Sequence, residues 1–131
     1  HVRLHSFPTR RSSDLLGDAW PPPTAELERL AQALTVATTA LASGIPTHVW
    51  LTGEATRLAT PGYAARLHLP HAASFAELVQ LLLQAEAVTV CTQCAARRGL
   101  TDADLLPGAR IAGAAGFVEQ ALTDGTQALV Y

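Results

Sequence analysis

The chain has 131 residues, 49% of them hydrophobic and 15% charged, with a formal net charge of −2. That length and apolar content fit one folded domain and exclude a disordered chain. All nine basic residues are arginine with no basic run beyond the N-terminus, which argues against a nucleic-acid partner, and no apolar run approaches the ~20 residues of a membrane span.

Residues 1–15 do not read as sequence selected for folding. His5 to Leu15, His-Ser-Phe-Pro-Thr-Arg-Arg-Ser-Ser-Asp-Leu, resembles the conceptual translation of a common short-read sequencing adapter. Such a segment is set aside in fold reasoning; the competing reading is a native basic, Ser-rich arm. Arg10 and Arg11 are therefore not read as an RNA or membrane patch. Native sequence is expected from near Leu16, as a single domain over 16–131.

Gly17 to Pro23, with three consecutive prolines, is loop chemistry. Thr24 reads as an N-cap with Glu26 and Glu28 in the first turn. Leu27, Leu30, Ala31, Leu34, Thr38 and Leu41 then fall at helical spacing, and Gly44 ends that helix. Thr47 to Thr52 reads as a strand in which His48 is a lone histidine, more naturally a half-buried strand residue than a ligand. Glu54 to Ala59 suits a short helix broken by Pro61-Gly62, and residues 63–73, with His68 and His71, are ambiguous. Ser74 and Glu77 form a capping-box pattern, opening a helix whose apolar face is Phe75, Leu78, Leu81, Leu82 and Ala85.

The chemistry-bearing stretch follows. Ala87 to Val90 is short, apolar and β-branched, and reads as a buried strand. It runs into Cys91, after which Thr92 to Arg98 is helix-compatible up to Gly99. Cys91 is thus expected at a strand C-terminus and helix start, where unpaired amides favour a thiolate and depress its pKa. Cys94, one turn on, is placed as a resolving thiol or second ligand. The competing reading makes both cysteines small buried hydrophobes. Arg97 and Arg98 either add positive potential to the site or simply line an exposed helix face.

Thr101 to Asp104 reads as a second cap closed by Pro107-Gly108. Ala109 to Leu122 reads as a short lead-in followed by a helix from about Gly113, and Ala128 to Tyr131 as a last strand. The succession of helices and strands is α/β, with a mostly parallel sheet of about five strands between two helical layers. A strand is expected before the first helix, where the adapter-like segment stands. Either it has been truncated, leaving a gap in the sheet, or Val2 to Phe7 is drafted into the vacancy, since that stretch also alternates.

Three stretches together resemble the DsrE/DsrF-like family: Trp50 to Glu54 after its strand, Val90 to Leu100 around the cysteines, and the Gly/Ala-rich Ile111 to Leu122. The resemblance covers about residues 24–131 and implies a three-layer α/β/α, flavodoxin-like outline. In the sulfur-relay (TusD-like) members, the cysteine matching Cys91 carries persulfide sulfur. The resemblance also implies sulfur donor and acceptor proteins as partners, a homo- or hetero-oligomer such as a trimer or hexamer, a cytoplasmic setting and no cofactor. Cys94 departs from the TusD-like pattern, which has a small apolar residue there; Cys-x-x-Cys resembles branches described as peroxiredoxin-like. A dithiol redox protein and a non-catalytic assembly subunit are the alternatives. One Cys-x-x-Cys and three scattered histidines after residue 15 are a thin supply for zinc, and no metal is assigned. Two cysteines three residues apart cannot staple a secreted fold, which also favours a reducing cytosol.

Overall fold

The computed structural model describes residues 2–5 and 20–131. Most of the adapter-like segment, with Arg10 and Arg11, the proposed native start near Leu16 and the beginning of the Gly17–Pro23 loop lie outside the described residues. In chain order the strands are β1 (Val2–His5), β2 (Thr47–Leu51), β3 (Val88–Cys91), β4 (Ala109–Ala112) and β5 (Gln127–Val130). Among the described residues the α-helices are α1 (Thr24–Ala42), α2 (Phe75–Gln84), α3 (Thr92–Arg97) and α4 (Ala114–Ala121), with short 3-10 turns at Gly53–Ala59, Ala64–Arg66 and Asp102–Asp104.

The strands form one five-stranded sheet in the order β4-β3-β2-β1-β5, with every neighbouring pair parallel. The mostly parallel α/β architecture expected from the sequence is the one observed. Val2–His5 lies between β2 and β5, pairing Val2 with Thr47 and with Gln127. Residues of the adapter-like segment therefore occupy the slot that the topology demands. Parallel pairing asks mainly for backbone donors and acceptors, and an empty slot would leave those of β2 and β5 unpaired.

Strand alternation divides the interior in two. On one face Val49, Leu51, Val88 and Val90 meet Leu27, Leu30, Leu34 and Ala37 of α1 and Phe75, Leu78, Val79, Leu82 and Leu83 of α2, forming the main core. On the other, Trp50 and Cys91 join Cys94 in a smaller cluster against which Phe117 packs. Both β2 and β3 are buried along their whole length, as strands covered on two faces should be. No residue of α4 is buried, so the second face is the thinly covered one.

Local chemistry explains most boundaries. Ser74 caps α2 by accepting from the Glu77 amide at 3.3 Å. Asp104 Oδ2 accepts from the Thr101 amide at 2.8 Å and from its hydroxyl at 3.0 Å, bearing out the second cap. Three expectations are corrected. The N-cap of α1 is Pro23, with Thr24 the first helical residue, a position where proline's fixed φ prepares the helix without needing a donor. The turn after β2 is 3-10 over Gly53–Ala59. Ala109–Ala112 is a strand rather than a lead-in; at a sheet edge with Arg110 exposed, its pattern carries little β signature. The helix start near Gly113 agrees, with Gly113 as the N-cap of α4.

Candidate functional site

β3 delivers Cys91 to the carboxyl end of the sheet, and α3 begins at the next residue with Cys91 as its extended N-cap. This is the strand-to-helix junction expected from the sequence, at the sheet end where α/β folds bind ligands. Its environment differs from expectation. Cys91 and Cys94 are free thiols, each 7% exposed, packed with Trp50 and Phe117. The rings of Trp50 and Phe117 stack at 4.9 Å with 19° between planes, and Trp50 Nε1 donates to the Ala112 carbonyl at 3.3 Å. The aromatic pair roofs the cysteines.

Burial pushes the Cys91 thiol above its ordinary pKa. The Cys91 side chain makes no capping hydrogen bond, yet the amides of Cys94 and Gln93 lie close enough to pull the other way, while the Cys94 side chain adds to the rise. The expected exposed, depressed-pKa thiol is thus corrected: the helix start supplies the amides, but desolvation under the aromatic roof outweighs them.

The two arginines part company. Arg97 is exposed and brings Nη1 to 3.8 Å from Cys94 Sγ, one turn back on α3. It is the cation that the geometry places beside a thiol. The Arg98 side chain is only 5% exposed. Its Nε donates to Glu54 Oε1 at 2.9 Å and its Nη1 to the Cys94 carbonyl at 3.1 Å, while Nη2 is buried without a partner. Arg98 therefore locks α3 onto the turn after β2, correcting its placement on an exposed helix face. Glu54 also accepts from Arg57 Nε at 3.1 Å.

Trp50, Phe117 and Glu54 were not singled out as site residues from the sequence. The available signal was strand parity: residues 50, 89 and 91 share a sheet face once β2 and β3 are in register. His48 is buried, with Nε2 at 2.5 Å from Thr89 Oγ1. It is a satisfied strand residue, as the spacing suggested. His68 and His71 do not enter the cysteine cluster. Among the described residues, no three or more His, Cys, Asp or Glu side chains gather as a metal site, and no helix is long and apolar enough to cross a membrane.

Known proteins sharpen the fold. The YchN protein from E. coli superposes with a TM-score of 0.63 at 14% identity, covering 99% of this chain and 97% of that one. A protein of unknown function from Methanobacterium thermoautotrophicum, MTH1491, superposes with a TM-score of 0.55 at 12% identity, again over 99% and 97% of the two chains. At those identities the likeness is one of fold. No curated protein matches the sequence. The family model that matches does so across residues 22–130, nearly the whole described domain, and on that match the chain belongs to the DsrE/DsrF-like family.

Proposed function

We propose that this protein is a sulfur carrier of the sulfur-relay type, holding sulfane sulfur on Cys91 and passing it to an acceptor thiol. The observation that carries this reading is the junction itself: a free thiol ending β3, with the Gln93 and Cys94 amides turned toward it. Family membership supports it in general terms. In the loading step the Cys91 thiolate attacks the outer sulfur of a donor persulfide. The donor S–S bond breaks, the donor leaves as a thiolate and Cys91 becomes Cys-S-SH. In the unloading step an acceptor thiolate takes the outer sulfur and Cys91 returns as a thiolate. No net oxidation occurs, and no cofactor is required.

The buried thiol imposes a condition. With Cys91 only 7% exposed, a donor reaches Sγ when the roof shifts, and Phe117 belongs to α4, a helix with no buried residue. Donor and acceptor proteins are the natural partners, and the setting is a reducing cytoplasm. Exposed Leu122, Val130 and Val118 along α4 and β5 support assembly into an oligomer such as a trimer or hexamer.

The proximity of Cys94 to Cys91 favours a second reading, dithiol redox chemistry. Attack by Cys94 on the inner sulfur of a Cys91 persulfide would release hydrosulfide and leave a Cys91–Cys94 disulfide, which an external dithiol must then reduce. A non-catalytic assembly subunit is the third.

Mass spectrometry after incubation with a persulfide donor separates them. A carrier gains one sulfur atom on the Cys91 peptide, loses that gain in Cys91→Ser and keeps it in Cys94→Ser. A disulfide without a persulfide in the wild type favours the redox reading. No modification of either cysteine sinks both and leaves the assembly role.

A further inference from the structure

The sheet face that bears Cys91 also bears a cavity of about 150 Å³ with polar groups set in a largely apolar wall. Thr89 and Arg110, register partners on β3 and β4, line it with His48 and Trp50 of β2 and with Phe117 and Gln120 of α4. His48 and Thr89 are 7% and 5% exposed and hydrogen-bonded to each other, so the floor is a buried imidazole–hydroxyl pair. Among the described residues, Arg110 makes no ion pair or side-chain hydrogen bond, and no carboxylate lines the cavity. Gly116 stands in the α4 wall, and a Cβ built there would meet nothing within 4 Å. The space exists partly because that position has no side chain.

We infer that this cavity binds a small oxyanion through Arg110, over the His48–Thr89 floor. A free guanidinium, the Gln120 amide and the Thr89 hydroxyl, which keeps its proton when His48 Nε2–H donates to it, form a donor set for a carboxylate or tetrahedral oxyanion, with no carboxylate among the described lining residues. The volume matches a ligand of about six non-hydrogen atoms, since a cavity of ~150 Å³ accommodates benzene. The cavity abuts the thiols: Trp50 lines it and also packs on Cys91 and Cys94, and Ala112, the register partner of Cys91, lines it too. Thr89 and Cys91 are two residues apart on one face of β3, about 7 Å along the strand. Resting on the sulfur-carrier reading, the oxyanion is the charged end of a small persulfide, whose outer sulfur bonds to the Cys91 thiolate as its S–S bond breaks and it leaves as a thiolate, or of the small thiolate that takes that outer sulfur back and returns Cys91 as a thiolate. The cavity's affinity for an oxyanion does not depend on that reading.

Calorimetric titration with sulfate and with 3-mercaptopropionate tests both parts, using 2-mercaptoethanol as the uncharged thiol control and repeating the sulfate arm in Cys91→Ser/Cys94→Ser. Saturable binding of both anions is expected, with no binding of 2-mercaptoethanol and no change for sulfate in the cysteine-free variant. Arg110→Gln is expected to weaken both at least about tenfold, the loss of a charge-assisted contact. Gly116→Leu fills the space without removing a polar group and adds a better helix former, so it should abolish binding in a folded protein. Absence of saturable sulfate binding, or binding indifferent to both substitutions, overturns the inference. Sulfate binding without 3-mercaptopropionate binding overturns the substrate assignment and leaves a free-ion site. Anion binding that persists while Cys91 takes up no sulfur overturns the carrier reading and the substrate assignment that rests on it, and leaves the oxyanion site standing.

Discussion

Arg98 Nε lies 2.9 Å from Glu54 Oε1, which ties the helix carrying Cys94 to the turn that follows β2. Because the Arg98 side chain is nearly fully buried while Glu54 stays partly exposed and retains Arg57, the pair is only half desolvated. Arg98→Ala is expected to cost about 2 kcal/mol in urea denaturation, below the range for fully buried pairs. Arg98→Lys should fail to restore it, since a single ammonium cannot present the fork that serves both Glu54 and the Cys94 carbonyl. A loss under about 0.5 kcal/mol for Arg98→Ala would place the pair with ordinary surface contacts.

The raised pKa of Cys91 sets its reactivity against pH. Burial disfavours the thiolate, so most of the sulfur is protonated at neutral pH and alkylation should run slower than for a free cysteine thiol. The rate should climb with pH and level off only above the ordinary cysteine range. Iodoacetamide labelling of Cys94→Ser, followed by mass spectrometry, reads this out; a plateau already reached at neutral pH would show a primed thiolate instead.

Phe117 roofs the cysteines from a helix with no buried residue. Phe117→Ala should therefore raise the labelling rate of Cys91 several-fold at fixed pH while leaving the secondary structure content unchanged by circular dichroism. Unchanged labelling would mean that access runs by another route.

Alkaline stability follows from two groups. Burial raises the pKa of Cys91 and also that of Tyr63, where the Glu54 carboxylate adds to the effect. For an acid with a raised folded pKa, the unfolded chain loses its proton first. The native state then holds more protons, and stability falls with rising pH. Stability is thus level below the ordinary values of 9.0 for the thiol and 10.0 for the phenol and declines above them. Denaturation midpoints measured across that range should fall, and Tyr63→Phe should flatten the upper part of the decline.

Gly108 opens β4 at φ +97°, and a Cβ there would collide with the Leu83 carbonyl at the end of α2. Both the left-handed backbone and the close approach demand glycine. Gly108→Ala should cost about 2–4 kcal/mol. Gly99→Ala, at φ +65° with open space around it, should cost only about 1 kcal/mol. Equal losses in thermal or urea denaturation would show that the carbonyl contact contributes nothing.

The sequence alone carried the elements whose physics is local. The Ser74 cap, the spacing of Leu27, Leu30 and Leu34, the β-branched run before Cys91 and the helix start at Gly113 depend on neighbours a few residues away, and each was legible. The parallel α/β class followed from their order. What tertiary structure decided is what lies around Cys91. Trp50, Phe117 and Ala112 come from three other elements, and only the register of β2, β3 and β4 brings them to one face. Desolvation, which set the sign of the thiol's pKa shift, is a property of that assembled surrounding, as is the burial of Arg98 against Glu54. A short edge strand such as Ala109–Ala112 is likewise defined by its partner β3, because its own residues hardly prefer the extended state.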